Sequence, residues 1–100
     1  MQSLMIVGAD HLGNIPKKLE GIGYNDIVHV NGRKNQMVKC KIPEHVDVIL
    51  ILTDYINHNL SSVIKQKAKD IGIPIRFAKR SWSSIHQELT TTTIHGMLRQ

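Results

Sequence analysis

The stretch "VDVILIL" at residues 46–52 constrains the fold more than any other part of this chain of 100 residues. Apart from Asp47, it is aliphatic throughout and lacks the alternation of polar residues that a strand with one solvated face shows. A strand that is apolar on both faces belongs in a parallel sheet whose crossover helices cover both sides. This stretch therefore predicts an α/β fold.

The rest of the chain alternates short apolar runs with segments at helical spacing. The other predicted strands are "LMIVGA" (4–9), "NDIVHVNG" (25–32) and "IPIRFAKR" (73–80). The predicted helices span residues 14–23, 57–70 and 81–89, with a short turn or one-turn helix near Met37 and Val38. Such alternation predicts a small three-layer, Rossmann-like parallel sheet of about four strands. Right-handed crossovers make 2-1-3-4 the simplest strand order.

The chain is long enough for one domain, which we place at residues 1–89. Hydrophobic residues make up 41% of the chain but aromatic residues only 4%, so the core is expected to be aliphatic. Residues 90–100 begin with four threonines, which are poor helix formers. They are predicted to form either a frayed tail or an extended arm. An arm could pair with a sheet edge of a second subunit, so a homodimer is plausible.

Charge and cysteine usage bound the class of protein and of partner. The net charge of +5 favours anionic partners, either small molecules or nucleic acid. Cys40 is the single cysteine, which excludes an internal disulfide and a cysteine-paired zinc site. No apolar run reaches the roughly 20 residues of a membrane helix, and the first residues look like a strand rather than a signal peptide. A cytoplasmic location without membrane contact is the expectation.

Four polar turns follow the four predicted strands. They are "GADHLGN" (8–14), "NGRKN" (31–35), "TDYINHN" (53–59) and "KRSWS" (79–83). Because the carboxyl ends of parallel strands meet at one edge of the sheet, these turns should line one crevice, where this class of fold binds its ligands. The sequence thus predicts a binding site at this edge.

The residue types in these turns suit an anion. Arg33, Lys79 and Arg80 would neutralise its charge, and helices beginning near Asn14, Asn57 and Ser81 would offer backbone N–H groups. Asp54 and Asn59 could read polar groups of the ligand, whereas Gly8 permits a sharp exit from the first strand. The predicted ligand-binding set is Gly8, Asp10, His11, Asn14, Asn31, Arg33, Asp54, Asn57, His58, Asn59, Lys79, Arg80, Ser81 and Trp82.

Other uses of the same residues stay open. His11 and His58 could bind a metal ion or haem iron, possibly between two subunits, although any one histidine is more often merely hydrogen-bonded. Asp10 and Asp54 could support metal-dependent phosphate chemistry, but an adjacent acidic pair after the first strand is missing. Trp82 could stack on a base or simply pack the last helix. The sequence identifies no cofactor or metal.

Beyond these physical patterns, about residues 4–89 resemble a bacterial family known as domain of unknown function 2325. The shared features are Gly8, "HVNG" (29–32), Asp54 followed by "NH" (57–58), and "KRSWSS" (79–84). The stretch "DHLGNIP" is similar to short, single-domain members. The resemblance implies a small Rossmann-like fold and no particular reaction.

We therefore expect a non-catalytic binding module for a nucleotide or a nucleic-acid phosphate at the carboxyl ends of the strands. The alternatives are a haem- or metal-binding protein that uses the turn histidines and an enzyme of phosphate chemistry that uses Asp10 and Asp54.

Overall fold

A computed structural model describes residues 2–31 and 42–98, with side chains for residues 2–31 and 42–90. In this part of the chain, the four strands and three helices follow one another in the predicted order. They are β1 (Gln2–Val7), α1 (Ile15–Glu20), β2 (Tyr24–Val30), β3 (Val48–Leu52), α2 (His58–Ile71), β4 (Ile75–Ala78) and α3 (Trp82–Leu98). The short helical segment expected near Met37 and Val38 lies outside the described residues.

The four strands form one parallel sheet in the order β2-β1-β3-β4, as predicted. From the central pair β1 and β3, the chain steps outward in opposite directions, to β2 through α1 and to β4 through α2. Right-handed crossovers in opposite directions put their helices on opposite faces of the sheet. The connection that leaves β1 and the connection that leaves β3 therefore run to opposite sides of the sheet. In open α/β sheets, a crevice forms between the carboxyl ends of two such strands.

Burial of the two central strands explains their continuous apolar sequence. Alternate residues of β1 and β3 point to opposite faces, and both faces are covered. One face packs on α1 and α3 and includes Leu4, Ile6, Leu19, Leu50, Leu52 and Ile85. The other face packs on α2 and includes Met5, Val7, Ile49, Ile51, Leu60 and Ile64. The core is aliphatic, as the low aromatic content predicts.

Helix α3 continues to Leu98, so the predicted end at Leu89 is wrong. The Thr90 hydroxyl donates a hydrogen bond of 2.7 Å to the carbonyl of His86, one turn earlier. Threonine can thereby satisfy its hydroxyl group inside a helix, although its branched side chain makes it a poor helix former. The backbone of residues 90–98 is consequently helical rather than extended. A role for this segment in dimerisation stays a prediction.

Within residues 2–31 and 42–98, no helix combines the length and hydrophobicity that a membrane crossing requires.

Candidate functional site

The polar turns predicted to form the site meet at the carboxyl ends of the strands. We call this region the carboxyl rim and define it as residues 8–14, 31, 53–59 and 79–83. Arg33 and the rest of the second predicted turn lie outside the described residues. The positions of the other three predicted turns, relative to one another, can therefore be compared with the prediction.

Arg80 joins these three turns. Its Nε donates a hydrogen bond of 2.8 Å to the carbonyl oxygen of His11, which follows β1. Its backbone N–H donates to Oδ1 of Asp54, which follows β3, at 2.9 Å. The side chain is half-buried, and a Cβ placed on Gly13 would lie 3.8 Å from Nη2. The predicted proximity of Asp54 and Arg80 is thus confirmed, and the guanidinium group runs along the turn after β1.

Gly8 occupies a position that other residues cannot take without rearrangement. Its φ of 126° is unfavourable for L-residues, and an added Cβ would lie 2.9 Å from Cβ of Leu52 and 3.2 Å from the carbonyl oxygen of Tyr55. Its amide donates to the carbonyl of Val30 at 2.8 Å. Glycine therefore lets the end of β1 approach the end of β3 closely, as the predicted sharp strand exit requires.

His29 holds the same turn from the neighbouring strand, a role that the sequence did not predict. Its Nε2 lies 3.0 Å from the carbonyl oxygens of both Gly8 and Ala9. Ala9 has a φ of 65°, unusual for a residue with a side chain, and its amide donates to Tyr55 O at 2.9 Å. The sequence feature that could have indicated this role is a histidine between two valines near the end of an apolar strand.

Side chains of the rim satisfy two amides at the start of α2 and one at the start of α3. Asn57 caps α2, and its Oδ1 accepts from the amides of Asn59 at 2.8 Å and Leu60 at 3.3 Å. Ser81 Oγ accepts from the Ser84 amide at 3.3 Å, and Ser84 Oγ accepts from the Lys79 amide at 3.1 Å. The expectation that these helices offer open amides to an anion is wrong for those positions, since polar caps satisfy such donors locally.

Asn14 does not cap α1, although asparagine is a favoured residue type at this position. It precedes α1, but its side chain makes no capping hydrogen bond. Its backbone has φ −88° and ψ 2° rather than the extended conformation of Asn57, with φ −70° and ψ 135°. An extended N-cap residue places its side-chain oxygen over the first amides of the helix, and this geometry is absent at Asn14.

Trp82 packs the last helix, which is the simpler of its two predicted roles. It lies against the core cluster that includes Leu19 and Ile85. Its ring centroid is 5.4 Å from that of His86, and the ammonium group of Lys18 lies 5.9 Å from the ring centroid. These contacts join α1 to α3 and leave the indole half-buried.

The remaining predicted residues are distributed as follows. Asp10, His11, His58, Asn59 and Lys79 are exposed on the rim, and Asn31 is partly buried at the end of β2. Asp10 and Asn31 each have an interaction partner. Among the described residues, no three His, Cys, Asp or Glu side chains are close enough together to hold a metal ion.

A second set of polar contacts lies at the opposite edge of the sheet. We call Ser3, Asp26, His45 and Asp47 the amino edge. The amide of buried Ser3 donates to Asp47 Oδ2 at 2.8 Å, and its hydroxyl donates to Asp26 Oδ2 at 3.2 Å. Nε2 of His45 lies 2.8 Å from the same Asp26 oxygen. These contacts join the start of β1 to β2 and to the chain that enters β3.

Two cavities in the described part of the chain also lie away from the carboxyl rim. One of about 560 Å³ is lined by Ile42, Glu44, Lys67, Asp70, Ile71 and Ile73. Another of about 220 Å³ is lined by Gln2, Tyr24, Asp47, Val48, Pro74, Arg76 and Leu89.

Tyr24 belongs to the smaller cavity and carries a shifted pKa. Burial raises the pKa of its phenol above the usual value of 10.0, the positive charge of Arg76 opposes this shift, and the negative charge of Asp47 adds to it. Tyr24 is therefore held in its neutral form to more alkaline pH than an exposed tyrosine.

Comparison with known proteins identifies a family and no function. No curated protein and no solved structure is significantly similar to the chain. One family model matches residues 3–92 and is described as "Uncharacterized protein conserved in bacteria (DUF2325)". The matched region includes the whole carboxyl rim, β3, all of β1 except Gln2, and the beginning of α3. The chain therefore belongs to this bacterial DUF2325 family.

Proposed function

We propose that the protein is a non-catalytic binding module for an anionic ligand, a nucleotide or a nucleic-acid phosphate, at the carboxyl rim. The proposal depends chiefly on one observation: Arg80 is anchored to two different turns, through its Nε to His11 and through its backbone N–H to Asp54.

Such anchoring suits Arg80 to anion binding. A guanidinium group presents five N–H donors, and its planar geometry matches phosphate oxygens. A long side chain that is already held loses less conformational entropy when a ligand binds. Because the bond to His11 uses the Nε–H group, the rest of the guanidinium group can be presented next to Gly13.

Charge near Arg80 supports the same ligand class. Lys79 is exposed immediately before it, and the chain has a net charge of +5. Asp54 contributes carboxylate oxygens, which accept hydrogen bonds from hydroxyl groups such as those of a ribose. A nucleotide has both chemical groups, whereas inorganic phosphate has no sugar. This pairing favours a nucleotide or nucleic-acid phosphate over a simple anion.

The two alternative functions have weaker support. A haem or metal site built on His11 and His58, and an enzyme of phosphate chemistry that uses Asp10 and Asp54, both require converging ligands. The described residues contain no group of three such side chains. Both alternatives remain hypotheses.

The test is equilibrium binding of a fluorescent ATP analogue and of a labelled ten-nucleotide single strand, at low and at physiological salt. If about three phosphates of the strand are neutralised, affinity should fall roughly 100-fold for each tenfold rise in salt. Arg80→Gln should weaken binding by about 10- to 100-fold, because a charge-assisted hydrogen bond is lost.

Arg76→Gln provides the matched control. Arg76 lies on β4, the strand that leads to Arg80, and the substitution makes the same charge change, but Arg76 lines the cavity near the amino edge. It should leave binding within about threefold of the original protein, whereas a loss of nonspecific charge attraction would affect both variants alike. Absence of binding to both probes at low salt, or an equal loss in both variants, would refute the proposal.

A further inference from the structure

The imidazole of His29 makes two hydrogen bonds whose direction is determined by chemistry. Its Nε2 lies 3.0 Å from the carbonyl oxygens of Gly8 and Ala9. A carbonyl oxygen can only accept, so Nε2 must carry the proton and donate to both. When neutral, His29 is therefore the Nε2–H tautomer.

The turn that His29 holds has an unusual conformation. Gly8 and Ala9 are consecutive residues with φ of 126° and 65°. Their amides donate to Val30 O at 2.8 Å and to Tyr55 O at 2.9 Å. Both N–H groups and both carbonyl groups of the pair are thus held by β2 and by the turn after β3. A non-glycine residue keeps a positive φ only where its surroundings enforce it.

The chain that leaves this turn supplies an anchor for Arg80. The carbonyl oxygen of His11, two positions after Ala9, accepts from Arg80 Nε at 2.8 Å. If the carbonyls of Gly8 and Ala9 lose their donor, the turn can change its φ and ψ angles, and the position of His11 changes with it. The hydrogen bonds of His29 therefore influence the position of the Arg80 guanidinium group through the turn and His11.

We infer that His29 is a positioning residue for the carboxyl rim, which sets the Gly8–Ala9 turn and thereby the place of the Arg80 guanidinium group. Its effect on ligand affinity rests on the proposed function, whereas its effect on the turn does not. Because Arg80 contacts His11 rather than His29, the role is indirect, and it is separable from a direct contact with ligand.

The test compares His29→Leu, which removes the donor, with His29→Gln, whose amide nitrogen can take the place of Nε2. His45→Leu is the matched control, because His45 also pairs with an acceptor but belongs to the amino edge. Two properties are measured: the nuclear magnetic resonance signals of the His29 ring nitrogens and of Arg80 Nε–H, and the affinity for the fluorescent ATP analogue.

In the original protein at alkaline pH, we expect nitrogen shifts of the Nε2–H tautomer. In His29→Leu, the Arg80 Nε–H signal should move and exchange faster with water, and affinity should fall about tenfold, as for a lost hydrogen bond. His29→Gln should keep the signal and stay within about threefold of the original affinity, and His45→Leu should change neither property.

An Nδ1–H tautomer, or an unchanged Arg80 signal in His29→Leu, would overturn the inference. If His29→Leu does not fold, the tautomer of the original protein and the Arg80 signal of His29→Gln decide the same question. If the original protein binds no ATP analogue, the proposed function loses that ligand, and the resonance measurements alone still decide the role of His29.

Discussion

The two ends of the sheet use polar groups in different ways. At the amino edge, the acidic side chains gather around Ser3, and both of its donors and His45 are paired with them. At the carboxyl rim, side chains hold the backbone of other turns: His29 holds Gly8 and Ala9, and Arg80 holds His11. The contacts at the amino edge satisfy the polar groups at the start of β1, whereas those at the carboxyl rim hold the backbone conformation of the turns.

This difference has a functional consequence. Contacts at the amino edge pair acidic side chains with Ser3 at the start of β1 and with His45. Contacts at the carboxyl rim fix a cationic group in place across three turns. Preorganised charge is the property that a binding site requires, because less entropy is lost on association. The comparison thus favours the carboxyl rim as the functional end.

Replacing Gly8 should have the largest effect and would test how tightly the rim is packed. Gly8→Ala combines a positive φ with a contact of 2.9 Å to Leu52 Cβ, so we expect a loss of about 3 kcal/mol in unfolding free energy. Gly23 near the amino edge has a φ of 105° and open space around it, so Gly23→Ala should cost only about 1 kcal/mol. Urea denaturation measures both values, and equal losses would contradict the close approach at Gly8.

Substitutions of Asp47 and Asp54, which each accept a backbone N–H, should have the next largest effects. They distinguish a contribution to unfolding free energy from a contribution to ligand affinity. Asp47→Ala leaves the amide of buried Ser3 without its acceptor and should cost about 2 kcal/mol. Asp54→Ala affects an exposed contact that water can replace, so its cost should stay below about 1 kcal/mol. Binding of the ATP analogue should weaken only in Asp54→Ala. Weaker binding in Asp47→Ala, or a larger stability loss in Asp54→Ala, would contradict the proposed difference between the amino edge and the carboxyl rim.

A smaller effect is expected at the helix caps of the rim. Asn57→Ala removes the acceptor of two amides at the start of α2 and should lower unfolding free energy by about 1 kcal/mol. Asn14→Ala removes no capping bond and should change it by less than about 0.3 kcal/mol. Thermal unfolding of both variants provides the measurement. A cost at Asn14 equal to that at Asn57 would show that both helices are capped in solution.

The smallest effect concerns the pH dependence near the amino edge. Burial raises the pKa of Tyr24 above 10.0, so the folded state retains the phenol proton at pH values where the unfolded chain releases it. Stability should therefore be intact below pH 10 and decline as pH rises from about 10 through the folded pKa. Tyr24→Phe should remove this part of the alkaline decline. The same decline in both proteins, measured by urea denaturation from pH 9 to 11, would contradict the prediction.

Local pattern was sufficient for the order of the described strands and helices and for the edge of the sheet at which the polar turns meet. The run at 46–52 identified a strand buried on both faces, and Asn57 identified the start of α2. Pattern was insufficient at Asn14, where residue type alone predicts a cap that the backbone angles do not form. It also failed at the end of α3, where the helix continues through four threonines despite their weak helix propensity.

The sequence by itself determined the α/β class, the strand order and the edge at which polar turns collect, because burial on both faces and right-handed crossovers follow from local residue patterns. Tertiary structure alone decided that Arg80 reaches His11, a partner 69 positions away, and that His29 holds a turn 20 and 21 positions away. Those contacts depend on strand register and on the angles of a few turn residues, including Ala9 with its φ of 65°. Periodicity carries no information about such angles, so only the folded chain specifies them.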